Sequence, residues 1–254
     1  MSMSTQDRSP EPAERYTVLD EREEKAAHTK TPMTFGDTVT PYHWRFDPAA
    51  HDEIYIVGDI HGSIDELKRL WAQLTPSGDD LVVFVGDLVR KGPASIEVVE
   101  FIAESPHAVS VKGNNEMKLV RETVETAPFE PVLETVTALP LVVSFGDSMV
   151  VHGGIHPEWE LVEHEPDDLL EMRSVPRGNS YDGPFWFEQY TDSPRVFFGH
   201  TVLSEPYVSD SAVGLDTGCV YGGELTAYDW RRDELVSVSA SGYQSRPDRK
   251  ILSI

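Results

Sequence analysis

The sequence predicts an α/β domain of two mixed sheets flanked by helices, and three observations lead there. From Ile54 onward, short apolar runs alternate with segments whose apolar residues recur at helical spacing, as a parallel sheet with crossover helices requires. From Leu141 the runs shorten and flank Gly-Asp and Gly-Gly turns, which fits antiparallel strands. With 254 residues, 39% of them hydrophobic, the chain can pack one domain of ordinary size with short extensions.

Residues 1–48 are rich in Pro, Thr and charge, and composition predicts a largely flexible acidic extension, although Tyr42–Phe46 has the apolar content to fold back onto the domain. The domain itself is expected over 49–240, with a tail over 241–254. Ile54–Val57 reads as a buried strand, and Ile64, Leu67, Leu70, Trp71 and Leu74 follow at helical spacing. Leu81–Val85 is a second strand, followed by an amphipathic helix from Ala94 to Ala103. Ala108–Val111 is a third, with a helix beginning near Glu116. Leu141–Phe145 and Met149–Val151 form a hairpin about Gly146-Asp147, and short strands close the domain between Val213 and Val238.

Charge narrows the function classes. The 44 acidic residues against 21 Lys and Arg leave a net charge of −23, which repels polyanions and argues against a broad nucleic-acid-binding face. Such a surface suits solubility in strong salt, the halophilic reading, in preference to an acidic surface tuned to a partner. The lone Cys219 excludes an internal disulfide and reads as a small buried hydrophobe. No apolar run is long enough to span a bilayer and the N-terminus has no secretory core, so no membrane partner and a cytoplasmic location are expected.

The polar motifs stand directly after the strands or beside glycine turns: Gly58-Asp59-Ile60-His61-Gly62, Gly86-Asp87-Leu88-Val89-Arg90-Lys91-Gly92, Gly113-Asn114-Asn115-Glu116, His152-Gly153-Gly154 and Gly199-His200-Thr201. Taken singly, an Asp at a strand end is more often a helix cap, and a His more often a half-buried hydrogen-bonding residue. Together, Asp59, His61, Asp87, Asn114, His152 and His200 offer oxygen and nitrogen ligands without a thiolate, a set suited to Mn, Fe or Zn. Six ligands exceed what one open catalytic ion takes, and fit two ions sharing a bridging carboxylate.

These motifs, GDIHG, GDLVRKG, GNNE, HGG and GHT in that order, resemble the calcineurin-like metallophosphoesterases, in particular their phosphoprotein phosphatase branch. The resemblance spans roughly Ile54 to Ala227. The segment Leu215–Val220 and the GHT form look like compact microbial members, among them diadenosine tetraphosphatases and phage-type protein phosphatases. The resemblance implies a two-sheet metallophosphoesterase sandwich holding two divalent or trivalent metal ions, manganese first, with iron and zinc as alternatives. It implies that Asp59 and His61 hold one ion, that Asp87 bridges, and that Asn114, His152 and His200 serve the second, with the assignment of the two late histidines to a given ion open. It implies hydrolysis of phosphomonoesters or phosphoanhydrides by in-line attack of a metal-bridging hydroxide. The substrate is then a phosphorylated small molecule, a nucleotide or a phosphoprotein.

Departures from the family pattern sharpen this. The clamp arginine is Lys91, which keeps charge but loses bidentate geometry. The aspartate usually before it is Arg90, which either contacts phosphate or points to solvent. Arg173 stands where compact relatives carry a second phosphate-binding arginine, against the alternative of a solvated helix residue. The family's proton-donating histidine is Asn115, and its aspartate partner is Arg90, so both halves of that dyad are replaced. Asn115 can donate a hydrogen bond but no proton. General acid catalysis is worth about 10²–10⁴-fold, and an alkoxide leaving group needs it most. Activated esters and phosphoanhydrides are therefore expected over phosphoserine. His156, four residues past His152, is the candidate replacement acid, against a plain loop histidine. The rival from another class is a metal-bound pseudophosphatase that binds phosphorylated partners. An ordinary nucleotide-binding domain lacks its glycine-rich loop here.

Overall fold

The computed structural model describes residues 33–178 and 180–254. Two mixed sheets pack face to face. The first runs β1 (His43–Phe46), β5 (Val142–Phe145), β6 (Ser148–Val150), β7 (Arg195–Phe198), β9 (Ala212–Gly214) and β8 (Tyr207–Val208). The second runs β11 (Glu234–Ser239), β10 (Glu224–Asp229), β2 (Ile54–Val57), β3 (Leu81–Phe84) and β4 (Ala108–Ser110), with β2, β3 and β4 parallel.

The two-residue period of a strand sorts its side chains between layers. Ile54 and Ile56 of β2 face the gap between the sheets with Val83, Phe145, Phe197 and Tyr228, while Tyr55 and Val57 join the layer beneath the helices. Every residue of β2 and β3 is buried, because both faces are covered. Helices α1 (Ile64–Leu74) and α2 (Ser95–Glu104) cover the second sheet through Leu67, Leu70, Val98 and Ile102. Asp65 and Glu66 sit at the positive N-terminal end of α1, and Thr75 ends it in the left-handed region, φ 46°. Helices α3 (Asn114–Val120), α4 (Leu133–Ala138), α5 (Pro166–Glu171) and α6 (Trp186–Gln189) complete the cover, with Leu169, Leu170, Trp186 and Phe187 packed against the first sheet. Each fully buried Ile, Leu or Phe contributes about 1.5–3 kcal/mol relative to exposure. Cys219 is buried, and burial pushes its thiol up to about 12.

The packed body begins before residue 49. Strand β1 pairs in parallel with β5, His43 opposite Val142, and Met33, Phe35 and Val39 are buried in the same cluster as Met149 and Trp186. A few apolar residues and an available sheet edge outweigh the polar composition of 33–48. Residues 1–32 of the expected extension, with the Asp20–Glu24 run and His28, lie outside the described residues. The tail 241–254 also folds back, Leu252 exchanging backbone hydrogen bonds with Val202 and Ser204.

Candidate active site

The polar motifs converge because the parallel strands end at one edge, where loop backbone is free to turn. Asp59 follows β2, Asp87 follows β3, Asn114 opens α3 after β4, His152 follows β6 and His200 follows β7. Five residues there, His61, Asp87, Arg90, Lys91 and His200, hold positive φ between 50° and 69°. Backbone of that kind is costly for non-glycine residues and persists where surrounding contacts enforce it. Two glycines are needed for close approach: a Cβ on Gly113 would overlap the Asp87 carboxylate, and one on Gly199 would overlap that of Asp59.

Asp59, Asp87 and His152, all buried, place one ligand atom each within 4.8 Å of one another. Nε2 of His61 lies 3.3 Å from Asp87 Oδ2 and 3.8 Å from Asp59 Oδ2. The His200 ring sits 5.1 Å from that of His152, and its backbone N–H faces the Asp59 carboxylate. Asn115 Nδ2 donates to Asp87 Oδ2 at 2.5 Å and to Asn114 Oδ1 at 3.0 Å, which brings both amides to the cluster.

The electrostatics leave the cluster short of positive charge. Burial, then Asp216 and Asp87, push Asp59 well above the usual carboxylate range. Burial likewise raises Asp216. Burial would raise Asp87 too, but the positive Lys91 and the Asn115 backbone N–H overcome it and hold that carboxyl below its ordinary range. Burial also keeps His61 and His200 neutral, pushing His61 down to about 3.

The donor set fits divalent cations. His152 Nδ1 faces the Val85 carbonyl at 2.8 Å, so that nitrogen carries the proton and Nε2 presents its lone pair. That Nε2 is buried and has no hydrogen-bond partner among the described residues, yet it points at Asp87 Oδ1 from 3.4 Å. An acceptor aimed at an acceptor in a dry site calls for a cation between them. His61 repeats the tautomer, with Nδ1 on the Val89 carbonyl at 3.1 Å, although its Nε2 faces Lys91 Nζ.

Other expected residues fall out differently. Lys91 reaches the cluster, Nζ lying 2.6 Å from His61 Nε2. Arg90 neither contacts the cavity floor nor points to solvent: its Nη1 donates to Asn115 Oδ1 at 2.8 Å. The two positions of the family dyad thus remain partners with changed chemistry. Arg173 is buried, donates to the His200 carbonyl at 3.0 Å and lies 4.0 Å from the Tyr181 ring centre, so it is no solvated helix residue. His156 is not brought to the cavity. Its ring stacks on Trp159 at 4.4 Å, and its Nδ1 accepts from the Glu158 N–H. The chain leaves the site just after His152, because Gly153 donates to the Leu169 carbonyl and Gly154 packs on Trp186.

Sequence reasoning gave no role to several residues present here. Glu116 accepts from the backbone N–H groups of Asp87, Val89 and Gly113, bracing two ligand loops. Asp216 lines the cavity beside Asp59, and Tyr181, Arg246, Arg249 and Lys250 form its rim. Glu116 and Asp216 stood inside quoted motifs; nothing local to the rim residues marked them.

The comparisons agree with this geometry. The family model described as calcineurin-like phosphoesterase matches residues 53–242. A symmetrical bis(5'-nucleosyl)-tetraphosphatase of Vibrio cholerae is 27% identical, over 73% of this chain and 98% of its own. The asymmetrical enzyme PrpE of Bacillus velezensis is 28% identical, over 73% of this chain and 92% of its own. A crystal structure of a protein provisionally named a diadenosine tetraphosphatase superposes with a TM-score of 0.71 at 29% identity, covering 78% of this chain and 98% of that one. The chain belongs to the calcineurin-like phosphoesterase family and is a metal-dependent hydrolase of that fold.

Proposed function

We propose that this enzyme hydrolyses the phosphoanhydride bonds of nucleoside polyphosphates, of the dinucleoside tetraphosphate kind, with two divalent ions bound, manganese being the best match to the mixed oxygen and nitrogen donors. The observation that carries the reading is the unpartnered lone pair of His152 aimed at Asp87 across a buried cluster. Asp59 and His61 are assigned to one ion and Asp87 to both. Asn114, His152 and His200 are assigned to the second. Bound ions of this type lower the pKa of water and offset phosphoryl charge. The chain's own groups do the rest. Asp87, held as a carboxylate, fixes the relative placement of the imidazoles. Lys91 and Arg173 face the cavity as cations for the phosphoryl oxygens, where charge grows in the transition state.

The leaving group decides the substrate class. Asn115 offers an N–H and no transferable proton, and Arg90 occupies its carbonyl. A polyphosphate leaves as a stabilised anion and needs little protonation, unlike the alkoxide of phosphoserine. The relatives' names point the same way. The pseudophosphatase alternative is not favoured, because the relatives are named as hydrolases and Asp59, Asp87 and His152 converge as a candidate metal group. A phosphoprotein remains the secondary substrate. Among the described residues no helix is long and apolar enough to cross a membrane. We read the −23 charge as that of a cytoplasmic enzyme in a salt-rich cell.

The test is phosphate release in high salt with manganese, comparing diadenosine tetraphosphate, an aryl phosphate and a phosphoserine peptide, with Asp87→Asn as control. Fastest turnover on the tetraphosphate, abolished in the control, is expected. A preference for the phosphoserine peptide would overturn the substrate assignment. Metal binding without turnover on any of the three would restore the pseudophosphatase.

A further inference from the structure

The family match ends at residue 242, yet the chain beyond it returns to the cavity and brings cations with it. Arg246 is the centre of this arrangement. Its guanidinium donates to the Tyr221 hydroxyl at 3.0 Å, to the Tyr181 hydroxyl, and through Nε to the Lys250 carbonyl at 2.8 Å. It also lies 4.9 Å from the Tyr221 ring centre and 5.2 Å from that of Tyr181. The same two rings carry the cavity's other cations. Lys91 Nζ is 5.4 Å from Tyr221, and Arg173 is 4.0 Å from Tyr181. Cations and rings therefore alternate as Lys91, Tyr221, Arg246, Tyr181, Arg173. Both ends of this arc are tied to the metal-ligand cluster, Lys91 at His61 and Arg173 at the His200 carbonyl.

The choice of partner is informative. A carboxylate holds an arginine by cancelling its charge, whereas a ring face and a phenol oxygen hold it and leave the charge in place. In a chain of net charge −23, Arg246 is hydrogen-bonded by two tyrosines and, among the described residues, by no carboxylate, although Asp216 and Asp182 also line the cavity, and Arg249 and Lys250 are exposed beside it on the rim of this space of about 450 Å³. A single phosphoryl group at the metal cluster meets Lys91 and Arg173 without the tail. The added cations suit an anion whose charge is spread along a chain.

We propose that the C-terminal segment 246–250 is an outer anion subsite that binds the non-reacting phosphates of a polyphosphate chain. Arg246 is its fixed element, with Arg249 and Lys250 as its rim. This rests on the nucleoside-polyphosphate reading and extends it, since the subsite selects polyphosphates over monoesters by binding.

The experiment is calorimetric titration of the full-length protein, stripped of metal and dialysed free of chelator, with inorganic tripolyphosphate and with orthophosphate. The parent, Arg246→Gln and the double variant Arg249→Gln/Lys250→Gln are compared. We expect tripolyphosphate to bind the parent far more tightly than orthophosphate. The affinity ratio should fall at least about tenfold in Arg246→Gln, and about threefold or more in the double variant with a flatter salt dependence. The double variant changes only exposed side chains, so it guards against misfolding of the first. An unchanged ratio in both variants, or equal losses for both anions, overturns the subsite. The two readings fail separately: a parent that binds tripolyphosphate through Arg246 but does not cleave the tetraphosphate keeps the subsite and loses the activity. One that cleaves with no effect of Arg246 loses the subsite alone.

Discussion

Replacing Glu116 by glutamine tests how the ligand loops are held. Its carboxylate is fully buried, with Oε2 accepting from Gly113 at 2.7 Å and Asp87 at 2.8 Å, and Oε1 accepting from Val89 at 3.0 Å. Glutamine keeps one acceptor oxygen, so the best arrangement preserves two bonds and sets an amide N–H against that of Val89. An unpaired buried donor costs about 1–3 kcal/mol, and the surviving bonds lose charge assistance worth about 1 kcal/mol each. Offsetting this, burial raises the carboxyl to about 7, so removing its charge returns part of the loss at neutral pH. The net expectation is destabilisation by about 2–4 kcal/mol, a melting temperature lower by roughly 5–12 °C. Glu116 also holds the strained backbone of Asp87, φ 52°, so manganese affinity should fall about 10–100-fold. Thermal unfolding of metal-free protein and calorimetric manganese titration measure the two effects, with the exposed Glu134→Gln as control. A variant that melts within about 1 °C of the parent and binds manganese equally well would refute this account of the bracing.

Two further outcomes follow from the same structure. Because Arg90 and Asn115 still face each other, Arg90→Asp combined with Asn115→His should restore a proton donor and raise turnover of a phosphoserine peptide relative to an aryl phosphate by about 10²-fold, with neither single change sufficient; an unmoved ratio in the double variant counts against the leaving-group argument. His43 is buried against Ser144, and burial followed by the nearby Arg45 holds its pKa well below 6.5. The native state then stays neutral where the unfolded chain takes a proton, so His43 costs stability as pH falls below 6.5, by up to about 1.4 kcal/mol per pH unit. Denaturant unfolding at pH 7.5 and 5 should show a smaller acid loss in His43→Gln than in the parent, and equal losses would contradict the assignment.

The strands and the convergence of the polar motifs were legible because each is written locally. A run such as Ile54–Val57, apolar on both faces, has no other stable home than a covered strand. An Asp or His directly after such a strand lands on the sheet's carboxyl edge whatever the rest of the chain does. That is why Asp59, Asp87, His152 and His200 meet as their positions imply. Arg90 and Asn115 were readable as a joint replacement, but that they bond each other depends on two loops meeting in space.

Nearness in sequence misled where the backbone turns away. His156 follows His152 by four residues, yet Gly153 and Gly154 dock on α5 and α6 and carry it to Trp159. Composition misled at both ends of the domain, although Tyr42–Phe46, which carries β1, had the apolar content to fold back. Residues 33–48 look polar but supply β1 to an open sheet edge, and the tail's Arg246 looks like any solvated arginine. The sequence by itself therefore determined the fold class and the strand-end motifs whose Asp59, Asp87 and His152 meet, since strand periodicity and strand-end position act within a few residues. Only the tertiary structure decided the brace at Glu116 and the arc joining Lys91, Arg246 and Arg173 through Tyr221 and Tyr181, because these contacts join segments as much as 130 residues apart whose meeting is set by how the two sheets pack.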